Sequence, residues 1–185
     1  MKLKLLLAAA ATALAAETAS AQVFVIGNGL GGECYQKTKN NTGSFRAADD
    51  VCSRALREQT MTRTNRAATY VNRGVLRMRA GKYAAALSDY SEATRLTPDL
   101  GAAYLNQGAA YIYMQDFAAA IGPLNQAITL ESEDLFAAYY NRAIAKENTG
   151  DVSGAYYDFQ ESLALKPGWD LAERQLSRFT LGDGS

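Results

Sequence analysis

From Phe45 onward, apolar residues recur at helical spacing in segments of 12 to 16 residues, and polar positions fill the opposite faces. The segments are separated by short breaks at Ala80-Gly81, Thr97-Pro98-Asp99, Thr149-Gly150 and Lys166-Pro167-Gly168, residues that stop helices. This pattern predicts an all-helical chain. Upstream the pattern changes: Val23-Phe24-Val25-Ile26 reads as a strand, and a glycine-rich stretch follows it. Residues 22–43 are expected to form a flexible arm. Gly122-Pro123 interrupts one helical segment, and a kink or a late helix start is expected there because proline removes a backbone donor.

A longer period is superimposed on the short one. Tyr70, Gly74, Ala86, Tyr90, Ala93 and Leu96 return 34 residues later as Tyr104, Gly108, Ala120, Leu124, Ala127 and Leu130. A further shift of 35 gives Tyr139, Ala143, Ala155, Phe159, Ser162 and Leu165. Pro98 and Pro167 close the first and third units, and Ser132 holds the equivalent place in the second.

These residues and this period resemble the tetratricopeptide repeat, a helix-turn-helix unit of 34 residues whose neighbours stack into a superhelix. The small residues Gly74, Gly108 and Ala143 let paired helices approach, and the aromatics fill the space between units. Arg73, Gln107 and Arg142 depart from the family pattern, which usually has leucine there. The resemblance implies an all-α fold: an α-α superhelix, or solenoid, of three repeats at about 67–100, 101–135 and 136–169. A degenerate half-repeat at 44–60 would precede them, and a capping helix at 170–180 would follow, the whole domain spanning 44–180. Phe45, Ala48, Cys52 and Ala55 carry the half-repeat, since they match Tyr83, Ala86, Tyr90 and Ala93 at a constant offset of 38.

The first twenty-one residues read differently. Lys2 and Lys4 precede an uncharged run from Leu5 to Ala16, and Ala19-Ser20-Ala21 offers small residues for a signal peptidase. Cleavage is expected after Ala21. The apolar run falls short of the ~20 residues that cross a bilayer, so no membrane span is expected. The expected location is the periplasm or the exterior, and the alanine-rich signal suggests a bacterial source. In such a compartment Cys34 and Cys52 are expected to form a disulfide.

Composition narrows the chemistry. The chain of 185 residues has no histidine, and its 19 basic residues balance 19 acidic ones. Histidine-based triads and histidine-ligated metal sites are excluded, and a strongly basic nucleic-acid surface is not expected. No catalytic residues, metal ligands or cofactors are assigned. The spacing Gly27, Gly29, Gly32 imitates a dinucleotide-binding loop. Its expected helix is interrupted by Asn40-Asn41-Thr42-Gly43, and no partner strands for a parallel sheet follow. A nucleotide-binding or thiol-redox enzyme using this arm or the cysteine pair is the alternative reading.

The resemblance implies a non-enzymatic scaffold or adaptor of the cell envelope that binds a protein or peptide, extended or helical, in a concave groove lined by the first helix of each repeat. The groove residues would be Asn72, Val75 and Arg79, then Asn106, Ala109 and Tyr113, then Asn141, Ile144 and Asn148. The three asparagines occupy one place in successive repeats, where a carboxamide can donate to and accept from an extended backbone. A carboxylate clamp of the chaperone-binding kind is not expected, because Val71, Leu105 and Ala137 stand where positive charge would be sought. A largely neutral partner is expected.

Overall fold

The computed structural model describes Ala21, residues 23–25 and residues 29–179. The expected signal segment therefore lies outside the described residues, apart from Ala21. Among the described residues there are nine helices and no strand. They are α1 (Leu30–Asn40), α2 (Phe45–Glu58), α3 (Arg63–Arg79), α4 (Tyr83–Leu96), α5 (Gly101–Tyr113), α6 (Phe117–Thr129), α7 (Leu135–Asn148), α8 (Val152–Leu165) and α9 (Asp170–Leu176). The helices expected from the periodicity, and the solenoid that the resemblance implies, are the fold observed.

Local chemistry places the helix ends. The side chains of Ser44, Thr62, Asp116 and Asp151 accept from the backbone N–H three residues on, satisfying a donor that the first turn leaves open. Gly81 and Gly150 turn the chain between paired helices with φ of 70° and 92°, a left-handed conformation that costs glycine little. The middle repeat uses Gln115 for the same turn, with φ of 61°.

Helices pair as α3 with α4, α5 with α6 and α7 with α8, and each pair packs on the next. Successive first helices α1, α3, α5 and α7 touch one another in order, and the second helices make no comparable contact among themselves. The first helices thus form the inner face of the stack. Close approach depends on the small residues: a β-carbon at Gly74 would lie 2.4 Å from the buried ring of Tyr90, and one at Gly108 would lie 2.4 Å from Leu124. In the third pair Ala143 faces Phe159 instead, and both are fully buried.

The departures from the repeat pattern have a structural role. Arg73 donates through Nε and Nη2 to both oxygens of Asp89 at 3.0 and 2.6 Å, and Arg142 does the same to Asp158 at 2.7 and 2.7 Å. Each arginine lies over the preceding tyrosine, Tyr70 or Tyr139. Both acids are buried, so the bidentate pairing compensates their desolvation. Burial still outweighs Arg73 and Arg77 at Asp89, holding its carboxyl above the ordinary carboxylate range. In the middle repeat Gln107 replaces the arginine and Pro123 the aspartate, and no such clamp forms. Helix α6 begins at Phe117, in register with Tyr83 and Val152, and contains Pro123, so the expected late start does not occur.

The N-terminal region differs most from expectation. Residues 30–40 are helical where an arm was expected, and α1 packs against α2 and α3. Asn40-Asn41-Thr42-Gly43, which interrupts the helical pattern in sequence, is its C-terminal end: Asn41 adopts φ of 49° and its N–H returns to the Lys37 carbonyl. The half-repeat helix α2 therefore has a partner on its N-terminal side. Cys34 of α1 and Cys52 of α2 are joined in a fully buried disulfide, with Cα atoms 4.8 Å apart. Its closed loop contributes about 3 kcal/mol in the chain-entropy model. Thr38 Oγ1 continues the same packing, donating to the Asn72 carbonyl of α3 at 3.4 Å.

At the other end α9 covers the last pair. Ala172 is buried there, and Trp169 meets Phe136 edge-to-face and Tyr140 at a tilt, with centroids 4.9 and 4.8 Å apart.

Candidate groove on the inner face

The three asparagines lie on α3, α5 and α7, one per repeat, and face the same inner surface. Val23, from the stretch expected to be a flexible arm, and Ala21, from the expected signal segment, lie on that surface. Asn72 accepts from the Val23 N–H through Oδ1 at 3.2 Å and donates to the Val23 carbonyl through Nδ2 at 2.8 Å. One carboxamide thus pairs with both backbone groups of one residue, as a neighbouring strand would. Asn106 Nδ2 donates to the Ala21 carbonyl at 2.7 Å, and its Oδ1 is buried without a partner among the described residues. Asn141 is fully buried, and neither its Nδ2 nor its Oδ1 finds a partner there.

The segment runs across the repeats in reverse order, with Ala21 at α5, Val23 at α3 and Val25 against Gly31 of α1. Side chains alternate as in an extended strand. Ala21 and Val25 are buried, whereas Phe24 is 62 % exposed and meets Tyr35 in an edge-to-face contact. Ala21 lies in the apolar cluster that includes Leu105 of α5 and Tyr140 and Ile144 of α7. Val23 packs on the first repeat's cluster.

The other expected groove residues divide. Val75, Ala109 and Ile144 are buried in the inner face and supply its apolar floor. Arg79 donates through Nη1 to the Thr38 carbonyl at 2.6 Å, so it ties α3 to α1, and partial burial lowers its pKa. Tyr113 stacks on Tyr83 with centroids 5.4 Å apart. Asn148 is exposed at the end of α7 and donates to its own helix at the Ile144 carbonyl, 2.8 Å away, apart from the asparagine row. Val71, Leu105 and Ala137, considered as places for a clamp lysine, are core residues and not groove residues.

Of the glycine stretch, Gly29, Gly31 and Gly32 are among the described residues. The Gly31 N–H at the start of α1 donates to Gln59 Oε1 at 2.8 Å, so a protein carboxamide holds the donor that a phosphate would need. The cysteine pair is buried inside the α1–α2 contact. Among the described residues no group of three or more acidic or cysteine side chains is gathered as for a metal. No described helix is long and apolar enough to cross a membrane.

Sequence reasoning identified the asparagine row but missed its occupant. The available signal was the alternating Val23-Phe24-Val25 segment, which reads as a strand in a chain that offers it no other strand to pair with.

Comparison with known proteins agrees with this geometry. Residues 67–100 match the family model described as tetratricopeptide repeat. Protein unc-45 homolog B of Mus musculus is 35% identical over 88 residues, 46% of this chain and 9% of that protein. BBSome complex member BBS4 of Xenopus tropicalis is 32% identical over 87 residues, 47% of this chain and 16% of that protein. The chain thus spans a small fraction of the length of these relatives. Among solved structures, the second repeat domain of human RPAP3, in complex with the HSP70 peptide SGPTIEEVD, is 28% identical. Its TM-score is 0.56, covering 59% of this chain and 90% of that one. A crystal structure of MamA shares the fold at 20% identity and a TM-score of 0.65, covering 83% of this chain and 94% of that one. Residues 67–100 thus match a tetratricopeptide repeat, and the helical stack built around them has the fold of tetratricopeptide-repeat structures.

Proposed function

We propose that the protein is a non-catalytic scaffold or adaptor of the cell envelope that binds a peptide segment of another protein in its concave groove. Tetratricopeptide-repeat folds mediate contacts between proteins, and the RPAP3 domain is a peptide complex. The observation that carries the reading for this chain is the paired bonding of Asn72 to both backbone groups of Val23. It supports an inner face that grips polypeptide backbone. The reading favours an extended segment over a partner helix, because a helix has already spent its N–H and C=O groups internally. A neutral partner is favoured too, since the row consists of carboxamides over an apolar floor.

Export rests on the sequence of residues 1–21, together with a buried disulfide of the kind that persists in oxidising compartments. Cleavage after Ala21 would leave Gln22 as the first residue and take the Asn106 bond partner away.

The test is recovery of partners from an envelope extract by the exported protein. Asn106→Ala combined with Tyr113→Ala should reduce recovery several-fold while the thermal midpoint stays within a few degrees. Equal recovery by a folded double variant removes the groove from the function.

A further inference from the structure

A cavity of about 500 Å³ lies beside the starts of α5 and α7, and no member of the asparagine row lines it. Three stretches distant in sequence make its walls: Phe24 with Tyr35 of α1, the α4–α5 turn at Asp99, and the α6–α7 turn at Glu131 and Glu133. Among the described residues no lysine or arginine lines it.

Two chemistries meet in this cavity. Asp99, Glu131 and Glu133 are exposed, and none of them forms an ion pair among the described residues. No side-chain cap bond is made at the start of α5 or α7, so the carboxylates are not spent there. Phe24 supplies an aromatic ring that is 62 % exposed and pairs edge-to-face with Tyr35. Elsewhere the chain covers ring faces with its own cations, as with Arg73 over Tyr70, Arg142 over Tyr139, Lys166 over Phe136 and Lys39 over Tyr35. Among the described residues Phe24 has no such cation. Ser132 lines the same wall at 7 % exposure, and its hydroxyl has no partner among the described residues. A donor in the cavity would remove that cost.

Unpaired carboxylates beside an uncovered ring are the complement of a guanidinium, which is weakly hydrated, stacks on aromatic faces and donates in pairs to carboxylates. A metal ion fits worse, because among the described residues no three acidic side chains are gathered closely enough to hold one. A flat organic cation on a flexible stem spans a wider spacing. The ring is also held in place, since its neighbour Val23 is bonded through both backbone groups to Asn72.

We propose that this cavity docks an arginine side chain of a partner protein, its guanidinium plane laid on Phe24 and its N–H groups turned to Asp99, Glu131 and Glu133. The site goes beyond the groove reading: it takes a charged side chain where the groove takes a neutral segment, and it uses no asparagine of the row.

The experiment titrates the full chain with a pentapeptide, Gly-Ser-Arg-Ser-Gly, blocked at both ends, and with its citrulline counterpart, which keeps the shape and loses the charge. Binding is read from the ring resonances of Phe24 and Tyr35. The arginine peptide should shift both in a saturable way at millimolar concentration, and citrulline should weaken binding about tenfold. The triple variant Asp99→Asn, Glu131→Gln, Glu133→Gln should weaken it by about the same factor, and Phe24→Leu, read at Tyr35, roughly threefold. All four side chains are exposed, so the thermal midpoints should stay within a few degrees. Equal binding of the citrulline peptide, or unchanged binding by the folded triple variant, overturns the charge recognition. Unchanged binding by Phe24→Leu overturns the stacking, and no saturable shift overturns the site. Asn106→Ala with Tyr113→Ala should leave arginine binding unchanged. Loss of binding there places the peptide in the groove and overturns the separate site, whereas the groove reading is decided by that variant's recovery of partners.

Discussion

The first and third repeats are built alike on the inside and differ in the groove. In both, an arginine 16 residues before an acid grips it with two bonds, Arg73 to Asp89 and Arg142 to Asp158, and a second cation approaches the same acid at 2.9 Å, Arg77 or Lys146. In the groove, Asn72 holds a backbone segment from 49 residues upstream while its counterpart Asn141 holds nothing among the described residues. The clamp is made by residues of one repeat, so copying the repeat copies the clamp. The groove bonds are made by residues that occur once in the chain, so they reach Asn72 and Asn106 and are not copied with the row.

The comparison can be broken at the N-terminal end first. Replacing both Cys34 and Cys52 with serine should lower the unfolding free energy by about 3 kcal/mol. Hydrogen exchange should quicken in α1 to α3, which the disulfide supports, and much less in α7 and α8. Uniform quickening would show that the two ends unfold as one unit.

The shared clamps provide the next contrast. Asp158→Ala leaves Arg142 and Lys146 without their acid, which should cost about 2–3 kcal/mol, below the range for a fully buried pair because both cations reach solvent. Asp89→Ala should cost less, since Arg77 keeps Asp49 at 2.9 Å. Denaturant titration of the two variants checks the order, and a larger loss for Asp89→Ala would contradict it.

The helix contacts differ by one carbon. Gly74→Ala places that carbon against the Tyr90 ring and should destabilise by about 1–2 kcal/mol, despite alanine's better helix propensity. Ala143→Gly in the third repeat should cost about 1 kcal/mol by propensity alone. A stabilised Gly74→Ala protein would mean that Tyr90 has room to move.

The smallest effects sharpen the groove comparison. Asn72→Leu should destabilise by about 1 kcal/mol, because it strands the two backbone groups of Val23 at a partly buried site. Asn141→Leu should be neutral or stabilising by up to about 1 kcal/mol. Equal losses for the two would show that Asn141 is already paired in solution.

Most of the fold was legible before the structure. Helix positions from Phe45 onward follow from spacing, and pair packing follows from the recurrence of Gly74, Gly108 and Ala143 opposite Tyr90, Leu124 and Phe159. Helix α1 was not legible, since Gly31, Gly32 and the Asn40-Asn41-Thr42-Gly43 stretch depress helix propensity and tertiary packing overrides it. The arginines were legible only as departures. Their acids lie 16 residues on, across the turn of each pair, and no local pattern joins them.

By itself, then, the sequence determined the helices from Phe45 onward, their period and the row of asparagines, because these repeat and each is set by neighbours within one unit. Tertiary structure alone decided which asparagines are paired. That outcome depends on where Val23, 49 residues from Asn72, and Ala21, 85 from Asn106, come to lie on the inner face. Such a contact has no periodic trace, because only one of its two partners repeats.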